Sequence, residues 1–257
     1  MIFVAAGTQD GRELTEYLLT QGYDVTVSVV SDYGKSLLPK HERLTVNAEP
    51  LDKGQLKEYL TRHAITAVVD ASHPYAAQIS ANAMDVCREL NLPYIRYERP
   101  GEPIAYDKIY AAENYGQAAE LAAQYADGGT VFLTTGSRSL PIFCRHPALQ
   151  NNRLIARVLP TSDVMTACEK LGLSPKNIVA VQGPFSVDLN RALFSAYETK
   201  VVVTKDTARL GGLDTKIAAA AALSLPVVVI ARPRLAYDNM ATDFKAVAKF
   251  LLGGEIR

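Results

Sequence analysis

Short apolar runs alternate with helix-period segments along nearly all of this 257-residue chain. That alternation constrains the fold more than any other feature, because it requires α/β architecture with a largely parallel sheet. In the first part, strands are predicted at residues 2–6, 24–30, 43–46, 67–70 and 93–96, with helices at 12–21, 53–63 and 76–90 between them. Tyr97 to Pro103 then breaks the pattern with two prolines and a glycine close together, the best candidate linker. Alternation resumes with strands at 108–111, 130–134, 154–158, 177–181, 200–204 and 226–230, and helices at 114–125, 161–171, 187–197, 216–223 and 242–252. The expected fold is two Rossmann-like lobes with mostly parallel sheets, residues 1–98 and 104–257, the last helix being able to pack back on the N-terminal lobe. Two lobes of similar size imply a substrate cleft between them.

Composition excludes several classes. Lys and Arg balance Asp and Glu to a formal net charge of zero, which argues against a broad nucleic-acid surface. No apolar run approaches the roughly 18 residues of a membrane span. The apolar start, Met1 to Ala6, is too short for a signal h-region and has no basic segment before it. Cys87, Cys144 and Cys168 are odd in number and widely spaced, which suits a reducing compartment. A cytoplasmic location is expected. His41, His63, His73 and His146 lack ligand spacing, so no metal site is expected, and all but His73 read as surface residues. No G-x-S-x-G elbow supports a hydrolase.

Polar clusters fall where predicted strands hand over to helices, the edge at which open α/β sheets bind ligands. Asp70-Ala71-Ser72-His73-Pro74-Tyr75-Ala76 is the most informative. A capped helix start would account for Ser72 and Pro74 but not for Asp70, His73 and Tyr75. The first turn, Gly7-Thr8-Gln9-Asp10-Gly11-Arg12, offers glycines and a helix N-terminus to a pyrophosphate, with Arg12 in reach of phosphate, though its spacing is not G-x-G-x-x-G. After the second strand, Ser31 and Asp32 suit a ribose hydroxyl and lean towards NADH, while Lys35 leaves NADPH open. In the second lobe, Thr135-Gly136-Ser137, Arg157, Gln182-Gly183 with Phe185-Ser186, Lys205, Lys216 and Arg232 form a basic, hydroxyl-lined rim on a neutral protein. Such a rim implies a multiply anionic small ligand.

Together these segments resemble the precorrin-6A reductase family, including the cobalt-precorrin-6A enzymes. The resemblance rests on Gly7-Thr8 with Gly11-Arg12, the block from Asp70 to Ala76 with Ile79-Ser80 and Asn82-Ala83, Pro93-Tyr94 before Arg96, and Glu98-Arg99-Pro100. It continues through Thr134 to Ser137, Arg157 before Leu159-Pro160, Gln182 to Ser186, Thr204-Lys205-Asp206, Lys216 and Arg232-Pro233. Two positions depart from the family pattern: Ala6-Gly7 stands for a common Gly-Gly pair, and Thr207-Ala208 follows Asp206 in place of Ser-Gly.

The resemblance implies NADH- or NADPH-dependent reduction of a ring double bond in precorrin-6A or cobalt-precorrin-6A, a step of cobalamin biosynthesis. The substrate is a polycarboxylate tetrapyrrole, and any cobalt arrives inside it. Gly7, Thr8, Gly11, Arg12, Ser31, Asp32, Ala71 and Ser72 would hold the cofactor. His73 or Tyr75 would supply the proton that accompanies hydride transfer. The rim residues of the second lobe would hold substrate carboxylates. Two alternatives stand beside this reading: a cyclising synthase of the uroporphyrinogen-III synthase type, and a non-catalytic protein that binds an anionic ligand. The oligomeric state is left open.

Overall fold

The computed structural model describes residues 1–29, 32–99, 105–207, 212–233 and 235–253, with residues 32 and 33 by backbone alone. The chain divides into two compact units, Met1–Pro100 joined by Pro233–Arg257, and Gly101–Arg232.

The first unit is built on β1 (Ile2–Ala6), β2 (Val25–Ser28), β3 (Leu44–Asn47), β4 (Ala67–Ala71) and β5 (Tyr94–Tyr97). Its helices are α1 (Gln9–Thr20), the short α2 (Asp32–Ser36), α3 (Lys53–Arg62) and α4 (Ala77–Leu90). Every residue of β1 and β4 is buried, because helices cover both sheet faces. Val4, Val69, Leu14 and Leu18 share one core, whereas Phe3, Val68, Leu60 and Val86 share the opposite one. Alternate residues of one strand thus enter different cores, as a period of two dictates. At α3, Asp52 accepts from Gln55 N at 2.8 Å while the Gln55 side chain accepts from Asp52 N at 2.9 Å, a reciprocal cap.

Beyond the second unit the chain returns to the first. It adds the two-residue strand β12 (Met240–Ala241) beside β5, and then α10 (Phe244–Leu251). Residues 233 onward therefore group with the N-terminal part: the boundary expected at 104–257 shifts, and the last helix packs back on the N-terminal lobe as the sequence allows. Val247 is fully buried in the core of Leu14 and Leu18, and the open edge of β5 is paired through Arg96 N to Asn239 O and Glu98 N to Ala241 O. All pairs in this sheet are parallel, in the order β12-β5-β4-β1-β2-β3. Strand order reverses between β1 and β4, so a crevice is expected at their C-terminal ends.

The second unit comprises β6 (Ile109–Ala112), β7 (Thr130–Leu133), β8 (Arg153–Val158), β9 (Ile178–Ala180), β10 (Thr199–Lys205) and β11 (Val227–Ile230). Its helices are α5 (Tyr115–Ala126), α6 (Leu140–Arg145), α7 (Ser162–Lys170), α8 (Val187–Ala196) and α9 (Leu213–Ala222). The sheet is again parallel, in the order β6-β11-β10-β7-β8-β9. Its order reverses between β10 and β7. Among the described residues no helix is long and apolar enough to cross a membrane.

Two local expectations change. Helix α4 starts at Ala77 with Ala76 as an N-cap lacking a side-chain bond, so Ser72 is not its cap. His63 and His146 are half-buried: His63 stacks on Tyr59 at 4.2 Å between centroids, and His146 Nδ1 accepts from Ala148 N at 3.4 Å.

Candidate functional site

In the first unit, the turns after β1 and β4 lie side by side. Thr8 caps α1 by accepting from Gly11 N at 3.1 Å, and its hydroxyl donates to Ala71 O at 3.4 Å. Gly11 is the close-packing point. A Cβ there would meet Ala6 at 3.0 Å and Ala71 O at 3.1 Å. Gly7 is exposed, and a Cβ on it would find only His73 N, 3.9 Å away. A tight helix–strand contact beside an open glycine at a helix N-terminus fits a pyrophosphate. Asp10 in the first turn opposes an anion, but Arg99 pairs with it at 3.1 Å. Arg12 is half-buried in the same turn. Ser31 lies outside the described residues, as does the side chain of Asp32.

Beneath the turn after β4 lies a buried polar cluster. Asp70 is wholly buried and pairs with Arg96 at 2.9 Å, accepts from Tyr94 Oη at 2.7 Å, and accepts from Ser72 N at 3.0 Å. Arg96 also donates to Ser72 Oγ at 3.2 Å and pairs with Glu98 at 3.1 Å. Burial alone would raise the Asp70 carboxyl, but the Arg96 charge and hydrogen bonds from Ser72 and Ser80 outweigh it and hold the group below its ordinary range. Asp70 therefore orders the loop carrying His73. Tyr75 N donates to His73 Nδ1 at 3.2 Å, and the two rings lie 5.7 Å apart. With Nδ1 accepting, the proton of the neutral imidazole sits on Nε2.

In the second unit, cations gather around the end of β8 and the start of α9. Arg157 is 6% exposed, donates to Asn190 Oδ1 at 2.7 Å, and lies 4.0 Å from the centroid of the Phe185 ring. Burial pushes its guanidinium down to about 10. Lys216 is equally buried. Burial, then the charges of Arg157 and Lys205, push it down to about 7, with Asp214 acting in the opposite direction. Lys205 is lowered by burial and by Arg138. Concentrated positive charge of this kind is costly to fold and suits a polyanion.

The remaining predicted rim residues are less uniform. Ser186 caps α8 by accepting from Leu189 N at 3.1 Å. Thr135 is buried and accepts from Ser139 Oγ at 2.8 Å, while Gly136 adopts φ +81° before a 3-10 turn that starts at Ser137. Gln182 is exposed. A Cβ on Gly183 would strike the Phe185 ring at 2.8 Å, so this glycine makes room for the ring that covers Arg157. Arg232 is engaged with Asp206, at 2.9 Å to its carbonyl and 3.2 Å to its carboxylate. Asn190 was missed by sequence reasoning. The signal available was a polar residue on the otherwise apolar stripe of Val187 and Phe194 along α8.

Two parallel α/β sheets, each with polar turns at its order reversal, place the chain in the class of doubly wound α/β proteins, whose ligand sites lie at such reversals. A family profile for precorrin-6x reductase, CbiJ/CobK, matches residues 1–252. A cobalt-precorrin-6A reductase of Priestia megaterium is 40% identical over 253 residues, 98% of each chain. A cobalt-precorrin-6A reductase of Salmonella typhimurium is 34% identical, covering 90% of this chain and 87% of its own. The precorrin-6A reductase of Rhodobacter capsulatus is 29% identical, covering 97% and 95%. The solved structure of a CobK precorrin-6A reductase superimposes with a TM-score of 0.78 at 26% identity, over 98% of this chain and 96% of that one. The chain belongs to the precorrin-6x reductase family, oxidoreductases of cobalamin biosynthesis that are nicotinamide-dependent in general.

Proposed function

We propose that the protein reduces cobalt-precorrin-6A with NADH, its first unit holding the dinucleotide and its second the macrocycle carboxylates. The observation that carries this reading is Arg157, nearly buried and held by neutral partners next to Lys216. Such a cation calls for an anion from outside the chain, and a carboxylate-fringed tetrapyrrole supplies several. Neither alternative from the sequence reading uses the Gly7–Gly11 turn, since a cyclising synthase and a simple anion binder need no pyrophosphate site. The cobalt-containing substrate is favoured because the relatives at 40% and 34% identity carry that name.

Gly7, Thr8, Gly11 and Arg12 would take the cofactor phosphates, with Ala71 and Ser72 beside them. The preference for NADH rests on Ser31 and Asp32 in the sequence. A bound reduced nicotinamide supplies the hydride. The chain's own work is orientation and proton supply. His73, its ring held by Tyr75 N and its backbone nitrogen near Gly7, would deliver the proton from Nε2, with Tyr75 the rival donor. Thr135, Gly136, Ser137, Gln182, Gly183, Phe185, Ser186 and Arg232 would complete the rim around Arg157, Lys205 and Lys216.

The test is nucleotide fluorescence on adding NADH or NADPH to the purified protein, followed by steady-state reduction of precorrin-6A and cobalt-precorrin-6A with each. Tighter NADH binding and turnover of the cobalt substrate are expected. Failure of both nucleotides to bind would remove the proposal.

A further inference from the structure

Among the described residues, the Arg157 guanidinium is held by two neutral groups, the Asn190 amide and the Phe185 ring. Among the described residues no carboxylate lies within ion-pair distance of it. Asn190 is itself wholly buried, and each end of its amide is assigned. Its Nδ2 donates to Ser186 O at 2.9 Å and to Thr215 Oγ1 at 3.4 Å, which turns Oδ1 towards Arg157. A flipped amide would set donor against donor at Arg157 and acceptor against the Ser186 carbonyl. One side chain thus ties β8 to α8 and to α9, the helix that carries Lys216. An aspartate in the same place would be a stronger anchor for a buried guanidinium, because charge-assisted bonds exceed neutral ones. It would also cancel the charge.

We infer that Asn190 is a positioning residue: its amide oxygen aims the Arg157 guanidinium at a substrate carboxylate while leaving the positive charge undischarged. This rests on the reading above, in which Arg157 takes a carboxylate of the macrocycle. The neutral cradle makes the end of β8 a subsite for one carboxylate, set apart from Arg232, whose charge is already matched by Asp206.

The experiment is a pairwise cycle of Asn190→Asp, Asn190→Ala and Arg157→Ala, each checked for a cooperative melt. KM and kcat are measured for cobalt-precorrin-6A at saturating NADH, with the KM for NADH as internal reference. Asn190→Asp is expected to raise the substrate KM by at least about tenfold, and by more than Asn190→Ala does. Both should leave kcat within about twofold and the KM for NADH unchanged. Neither should have a further effect once Arg157 is alanine. A merely structural asparagine predicts otherwise: equal or milder effects for aspartate, or effects that persist without Arg157. Either result overturns the inference. If Asn190→Asp does not fold, Asn190→Ala carries the test alone through its loss of effect in the Arg157→Ala background. An unchanged KM in Arg157→Ala by itself would instead sink the underlying reading of Arg157, and this inference with it.

Discussion

The Asp70 carboxylate and the Arg96 guanidinium meet at 2.9 Å with both side chains at most 1% exposed, directly under the turn that presents His73. The pair joins β4 to β5, and the Tyr94 hydroxyl and Ser72 amide satisfy further lone pairs of the carboxylate. Breaking it leaves a buried guanidinium only partly matched by Glu98. Asp70→Asn is therefore expected to lose roughly 3–5 kcal/mol of stability at neutral pH. The Asp70 pKa is lowered in the folded state, so its contribution is fully present above the unfolded value of 3.8 and is lost as pH falls through the folded one. The gap between thermal melts of wild type and variant should hold down to about pH 4 and narrow progressively as pH falls further. A constant gap across that range would contradict the assignment.

Lys216 has the opposite sign. Its pKa falls from 10.5 to about 7, so the folded protein disfavours the charged form. The stability cost is absent above the unfolded value, grows as pH drops from 10.5 towards 7, and is constant below. Lys216→Met should raise the melting temperature near neutrality and leave it unchanged at about pH 10.5. The same variant should bind cobalt-precorrin-6A more weakly. In the unsubstituted protein, substrate affinity should decline as pH rises through 7. Differential scanning calorimetry and substrate titrations across this range check both halves.

Gly11→Ala sets two magnitudes against each other. Helix propensity favours alanine by about 1 kcal/mol. The added Cβ meets Ala6 at 3.0 Å and the Ala71 carbonyl at 3.1 Å, and backbone cannot yield cheaply. Overpacking of this sort costs roughly 1–3 kcal/mol. The expected net result is a lower melting temperature and weaker NADH binding, with substrate affinity retained. A stabilised variant would show that α1 can move away from β4 freely.

Removal of the imidazole tests the proton donor. His73→Asn is expected to reduce kcat by about 100-fold or more while nucleotide and substrate affinities persist. A loss under about tenfold with binding intact would pass the role to Tyr75 or water.

Most elements were legible in sequence because strand and helix periods are local properties. Strands β1 and β4 and helices α3 and α8 are carried by their own apolar spacing. Helix α6 was not, since six residues with Pro141 near the start show no period. Strand β12 was missed because two residues carry no alternation, and its existence depends on the open edge of β5. The polar turns at Gly7, His73 and Lys205 were readable from residue type and position after a strand. Asp70 was visible as unusual, but its work as the keystone of the loop was not. That work depends on Tyr94 and Arg96, more than twenty residues further along the chain.

The two arginines at Arg157 and Arg232 show where the division falls. Sequence alone determined that each is a permanent cation near the end of a strand, and that the chain is a reductase of this family. Only the tertiary structure decided that Arg232 meets an aspartate 26 residues away, whereas Arg157 meets an asparagine 33 residues away. Charge belongs to a residue type, but the counter-ion that cancels it is a long-range neighbour, and distance in space is what folding supplies.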